Sequence, residues 1–274
     1  MHDAAYRRAR MPEGPDRVLS ERNLAKDHRR LAELLAPGLL VLDAGCGTGA
    51  ITAGILPCVV PGGRVVGVDV DPRLIEEANS RYGGDPRLLF HVGDIYHLGY
   101  DPEYESAFDI VTCSRVLQWL ANPVEALRSL VRAAAPGGRV LVLDYNHEKI
   151  AWEPDPPASV LKFYGAFLKW RAEAGMDNGI ADRLAAMFAE AGLQDIAVTP
   201  QHEATARGDA DFERRIGIWS AVIQGRGRQM VEDGAITESE RAEAERDYAE
   251  WARDHARAQS LYLLAVEGTK PPRR

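Results

Sequence analysis

Asp43 stands before three glycines at alternate positions, Gly45, Gly47 and Gly49, at the end of the apolar run Leu39-Leu40-Val41-Leu42. Glycine lets the backbone adopt positive φ and approach a ligand without an intervening Cβ. The helix-compatible segment from Ala50 would offer unpaired N–H groups at its start. A second acid, Asp69, closes the apolar run Arg64–Val70, and a third, Asp94, follows Leu88–Val92 as Gly93-Asp94-Ile95. Asp69 is placed to accept hydrogen bonds from both hydroxyls of a ribose. Asp94-Ile95 suits an exocyclic amine plus a backbone donor, and Cys113-Ser114-Arg115 follows a fourth apolar run. A dinucleotide site uses G-x-G-x-x-G and a pyrophosphate on the helix N-terminus. Here the spacing is G-x-G-x-G with an anion in front, which disfavours phosphates. It favours a nucleoside carrying an ammonium and a sulfonium.

These residues need a scaffold, and the hydrophobic pattern supplies one. Apolar runs at 39–42, 64–70, 88–92, 108–114 and 139–144 alternate with helical segments. Such runs are too apolar for a half-exposed sheet and predict a mostly parallel sheet covered on both faces, an α/β fold. Asp71-Pro72 caps a helix over 73–82. Another begins near Asn122-Pro123 and stops at Pro136-Gly137-Gly138. Residues before about Asp16 read as a mobile arm, and 18–36 as one amphipathic helix. After Asn146 come a stiff linker at 153–157, an aromatic-rich helix and a helix over 180–191. A strand is expected near 194–199. Helices over 209–258 are expected to break at 225–227 and 233–234, before a last strand at 260–266. The expected division is an arm and helix over 1–36 and a ligand-binding core over 37–146. A helical cap follows over 147–193, then the remaining strands at 194–205 and 260–270, with a helical insertion over 206–259 covering the substrate site.

The segment Val41–Gly49, with Gly67-Val68-Asp69, Gly93-Asp94-Ile95 and Pro136–Leu141, resembles the class I S-adenosylmethionine-dependent methyltransferases. In texture it is similar to the small-molecule bacterial enzymes related to quinone C-methyltransferases. The resemblance covers about 37–146 and implies a Rossmann-like sheet of about seven strands with a helical cap. It implies that the turn Asp43, Ala44, Gly45, Gly47, Thr48 and Gly49 lies under the methionine part of the cofactor. Asp69 would hold the ribose and Val70 pack on the adenine, while Gly93, Asp94 and Ile95 read its edge. Ser114, Arg115 and Val116 would flank the amino-acid end.

The implied reaction is in-line methyl transfer from S-adenosylmethionine to an N, C or O atom of a small acceptor. The base-methylating segment N/D-P-P-Y is missing after strand four, as are the carboxylate of the metal-dependent enzymes and the acidic hairpin of the arginine-methylating ones. Asp144 and Asn146 make two oxygen ligands without a third, so a metal-free transfer is expected. Tyr145, His147 and Glu148, after strand five, are the candidate catalytic groups. A histidine near neutral pKa suits a base, and a surface-loop histidine without a role fits the position equally well. His91 reads as packing. Phe163, Tyr164, Phe167 and Trp170, with Trp152, Trp219 and Trp251, fit either helix packing or the wall of an apolar or aromatic acceptor pocket. Two other readings stay open: a non-catalytic cofactor-binding module and, against the glycine spacing, an NAD-dependent oxidoreductase.

The bulk composition agrees with a small-molecule enzyme. In 274 residues, 46% are hydrophobic, 27% are charged and the formal net charge is −8. That balance argues against a nucleic-acid footprint. No apolar run is long enough to span a bilayer. Three cysteines without CxxC spacing, and no visible secretory signal, point to a cytoplasmic protein. Low Lys against high Arg and Ala points to a bacterial source.

Overall fold

The computed structural model describes residues 2–10, 12 and 20–272. In chain order the principal elements are α1 (His2–Ala9), α2 (Leu24–Asp27), α3 (Arg29–Leu34), β1 (Leu40–Ala44), α4 (Ala50–Val59), β2 (Arg64–Asp69), α5 (Pro72–Tyr82), β3 (Leu88–Val92), β4 (Phe108–Ser114), α6 (Pro123–Ala133) and β5 (Ala134–Glu153). Then follow α7 (Ala158–Glu173), α8 (Ile180–Glu190), β6 (Gln194–Pro200), β7 (Glu203–Ala206), α9 (Phe212–Ile216), α10 (Ile218–Glu232), α11 (Glu238–Asp254) and β8 (Ala258–Thr269).

The strands form one sheet in the order β3-β2-β1-β4-β5-β8-β6, with β7 also pairing β8. From β3 to β5 all pairings are parallel, and β8 runs antiparallel to both β5 and β6. Side chains alternate between the faces. Leu42, Val66 and Val68 join one core with Leu127 and Leu130 of α6 and Leu184 and Phe188 of α8. Val41 and Val65 face the other way, onto Ile55 of α4 and Ile75 of α5. Both faces are therefore buried, as the runs require. A third core unites α7, α10 and α11 around Phe163, Phe167, Trp219 and Tyr248. No helix among the described residues is long and apolar enough to cross a membrane.

Several sequence expectations need correction. The arm is not free where it is described: Ala5 of α1 packs against Ala174 and Met176, and Arg8 Nε donates to Asp233 at 2.8 Å. Residues 11 and 13–19 of that arm lie outside the described part. The single helix expected over 18–36 is broken at His28 (φ −148°). The His28 ring is drawn into the core, with Nε2 3.0 Å from Thr112 Oγ1. β5 extends well beyond 139–144, because β8 pairs with it again at 151–153 after a register shift. Gly225–Gly227 does not break a helix, and α10 runs through it. A Cβ on Gly227 would stand 2.9 Å from Arg241 Cγ and 3.2 Å from Phe163 Cε2, so this glycine serves close helix packing. β7 is a strand the hydrophobic pattern did not show, since Glu203-Ala204-Thr205-Ala206 carries little apolar signal.

Candidate active site

The carboxyl ends of the parallel strands open onto a cavity of about 600 Å³, within the range of small-molecule sites. Each strand delivers its polar residue there because the chain turns immediately afterwards. After β1, Gly45, Gly47 and Gly49 all have positive φ (79°, 56° and 78°). A Cβ on Gly45 would lie 2.3 Å from Val116 Cγ2, and one on Gly49 2.6 Å from Phe90 Cε1. Left-handed backbone and close packing thus coincide at both residues, as only glycine allows.

Asp43 is buried, accepts a hydrogen bond from Thr52 Oγ1 at 2.7 Å, and meets no cationic side chain among the described residues. Burial pushes its pKa up to about 6, helped by the nearby Asp69. Asp69 Oδ2 accepts from Gly47 N at 2.9 Å and Oδ1 from Asp71 N at 3.0 Å. Burial raises its pKa as well. Asp94 Oδ1 accepts from Tyr96 N at 3.0 Å.

After β4, Arg115 has a φ of +61° although it is not glycine. Such strain persists where surroundings over-determine it. Arg115 Nε donates to Tyr145 Oη at 3.1 Å, Nη1 to Ser114 Oγ at 2.8 Å, and Nη2 to the Asp27 carbonyl at 2.8 Å and to Glu203 Oε1. Tyr145 Oη donates to Glu203 Oε2 at 3.2 Å. Burial and then Glu203 push the phenol up to about 12, so it stays protonated at physiological pH.

His147 Nε2 lies 2.5 Å from Gln118 Oε1. An amide oxygen can only accept, so Nε2 carries the proton and Nδ1 is the bare nitrogen. Burial and the Arg171 charge push the imidazole well below its ordinary pKa, keeping it neutral. The ring stacks on Tyr145 and meets Phe167 edge-on, with centroids 5.3 Å and 6.0 Å apart.

The cavity wall includes Asp43, Gly45, Gly47, Asp69, Val70, Gly93, Asp94, Ile95, Ser114, Arg115 and Val116, together with Tyr145 and His147. Ala44, Thr48 and Gly49 support the turn from behind and are not on the wall, and Glu148 is exposed and also off it. Of the aromatic set, Phe167 and Trp219 reach the wall. Sequence reading missed Arg22, Gln118, Trp119, Arg226 and the α1 residues Ala5 and Tyr6, all on the wall, and Glu203 behind Tyr145. Gln118 could have been flagged by its place just past strand four. Arg22 and Arg226 sit among ordinary helical charges and carry no such signal.

Residues 42–140 match the methyltransferase domain family. The chain is 30% identical over 252 residues to trans-aconitate 2-methyltransferase of Methylobacterium radiotolerans, covering 89% of this chain and 86% of that one. It belongs to the class I S-adenosylmethionine-dependent methyltransferases. It is also 30% identical to demethylmenaquinone methyltransferase of Lactococcus lactis, over 45% of this chain and 48% of that one. Several other curated relatives are likewise matched over about half their length or less. In fold it is similar to Haemonchus contortus phosphoethanolamine N-methyltransferase 2, solved with S-adenosylhomocysteine: TM-score 0.56, 17% identity, 95% of this chain and 54% of that one.

The residues present suit the cofactor of this methyltransferase family. Each Asp69 oxygen has one backbone N–H and keeps a further lone pair for a hydroxyl. Asp43 is a buried carboxylate with one neutral donor, and a ligand ammonium would supply the missing cation.

Proposed function

We propose that this chain transfers the methyl group of S-adenosylmethionine to a small acceptor with an apolar or aromatic body. The observation that carries this reading is the continuity of one cavity. It runs from the Gly45–Gly47 turn and Asp69 to a wall of Trp119, Phe167 and Trp219, with Tyr145 and His147 also lining it.

Bound there, the cofactor supplies an electrophilic methyl on a sulfonium. Asp69 would hold the ribose hydroxyls, Asp43 would balance the ammonium, and Val70, Asp94 and Ile95 would surround the adenine. The aromatic wall orients the acceptor and excludes water, which is the protein's main contribution to a displacement of this kind. His147 is the group able to take a proton, at Nδ1, because Gln118 holds the other nitrogen as a donor. Tyr145 acts by position: with Glu203 it holds the Arg115 side chain.

The test is isothermal titration with S-adenosylmethionine and S-adenosylhomocysteine, followed by radiolabelled methyl transfer to a panel of small acceptors. Binding of both ligands with turnover of an acceptor supports the reading. Failure to bind either would sink it, and binding without any turnover would favour a non-catalytic module.

A further inference from the structure

Arg171, near the end of α7, lies behind the cavity wall and is fully buried. Among the described residues it forms no ion pair with a carboxylate, and its Nη1 has no hydrogen-bond partner. Burial pulls its pKa down to about 10, which still leaves it charged at neutral pH. A buried cation without a paired anion is costly. Packing alone does not explain it. The guanidinium carbon lies 4.3 Å from the Trp119 ring centre and 5.3 Å from that of Phe167, and a methionine would fill the same space without a charge.

Its donors explain the choice of residue, because they go to the two neighbours that hold His147. Nε donates to Asn178 Oδ1 at 2.8 Å, and Nη2 donates to the Gln118 carbonyl at 2.9 Å. The Asn178 carbonyl in turn accepts the His147 backbone N–H at 2.7 Å. Gln118 holds the His147 ring through Oε1, and its amide is fixed in that sense because its Nε2 donates to the Arg115 carbonyl at 3.3 Å. One planar fork thus ties the residue that grips the histidine backbone to the residue that grips its ring. Which imidazole nitrogen carries the proton is set by the hydrogen bond the ring makes.

We propose that Arg171 is a positioning residue for His147: by holding Gln118 and Asn178 together it fixes the ring as the Nε2–H tautomer and leaves Nδ1 free for a proton of the methyl acceptor. That Nδ1 takes this proton rests on the methyl-transfer reading; the fixing of the ring does not.

The experiment records the imidazole nitrogens of the full chain, labelled with 15N-histidine, by nuclear magnetic resonance at mildly alkaline pH. His147→Gln identifies the signals by their loss. In the wild type Nε2 is expected at the position of a protonated nitrogen and Nδ1 at that of a bare one. Arg171→Met should shrink their separation by about half or more as the ring exchanges between tautomers. Arg171→Lys keeps the charge, but its single nitrogen lacks the fork, so an intermediate separation is expected. A purely structural Arg171 would lower the melting temperature without moving these signals. A wild-type separation in Arg171→Met, or a ring already averaged or reversed in the wild type, overturns the proposal. Should Arg171→Met fail to fold, Arg171→Lys decides: an intermediate separation supports the proposal and a wild-type one overturns it. Failure to methylate any acceptor would remove the role of Nδ1 alone and leave the result on the ring standing.

Discussion

At Asp69 both carboxylate oxygens already accept a backbone N–H, from Gly47 and from Asp71. The side chain closes the glycine turn and at the same time presents its remaining lone pairs to the cavity. Asp69→Ala is expected to weaken S-adenosylhomocysteine binding by about 10- to 100-fold, the loss of charge-assisted hydrogen bonds. Calorimetry checks this, and an unchanged Kd would leave Asp69 a turn residue only. Asp43 makes a pH prediction. Its folded pKa of about 6 lies above an ordinary carboxyl value near 3.8, so the folded state holds the proton more tightly. The stability this contributes is full below about pH 4 and lost as pH rises through 6, amounting to about 3 kcal/mol. Asp144, also raised to about 6 by burial, acts in the same window. The ligand's ammonium needs the ionised form of Asp43 beside it, so affinity for S-adenosylhomocysteine should fall as pH drops from 7 to 5. Asp43→Asn should flatten that curve, raise the melting temperature of the free protein at pH 7, and bind more weakly at neutral pH. Titrations and thermal melts across this range decide it. Most of this wall was legible because Asp43, Asp69 and Asp94 each follow an apolar run and end it. Arg22 was not, because a half-buried arginine and a solvated one look alike in a row of helical charges.

Among the elements, α10 shows a propensity rule overridden by packing. Glycine within a helix ordinarily costs about 1 kcal/mol relative to alanine, yet Gly227 lies where α10 meets Arg241 of α11 and Phe163 of α7. Gly227→Leu should lower stability by about 1–3 kcal/mol through overpacking, measured by denaturant unfolding, despite the better helix propensity of leucine. A neutral or stabilising result would mean that the two neighbours move aside freely. The same logic separates legible elements from illegible ones. The helix after Asp71-Pro72 was legible from its first residues, since the Asp71 side chain accepts from Arg73 N and Pro72 pre-sets the first turn. The extent of β5 was not, because its second half is a strand only where β8 returns to pair with it.

On the scale of the whole molecule, α1 is tied to the cavity wall by Arg226, which lies 218 positions from Arg8 in sequence. Arg226 Nη1 donates to the Arg8 carbonyl at 2.6 Å and to that of Arg10 at 2.7 Å, which satisfies the free carbonyls at a helix C-terminus. Arg226→Gln should release α1, seen as faster amide hydrogen exchange over residues 5–10 with unchanged protection in β1, β2 and β4. Unchanged exchange in α1 would show that the Arg8–Asp233 contact suffices.

The local order of residues determined the sheet, its glycine turn and the wall proposed for the cofactor. Those features depend on hydrophobic period, on backbone freedom at glycine, and on acids that lie next to the strands presenting them. The side proposed for the acceptor was decided only by tertiary structure. Glu203 meets Tyr145 and Arg115, and Gln118 meets His147, through contacts between residues far apart along the chain. Burial and pairing there depend on which surfaces meet, and no local pattern encodes that.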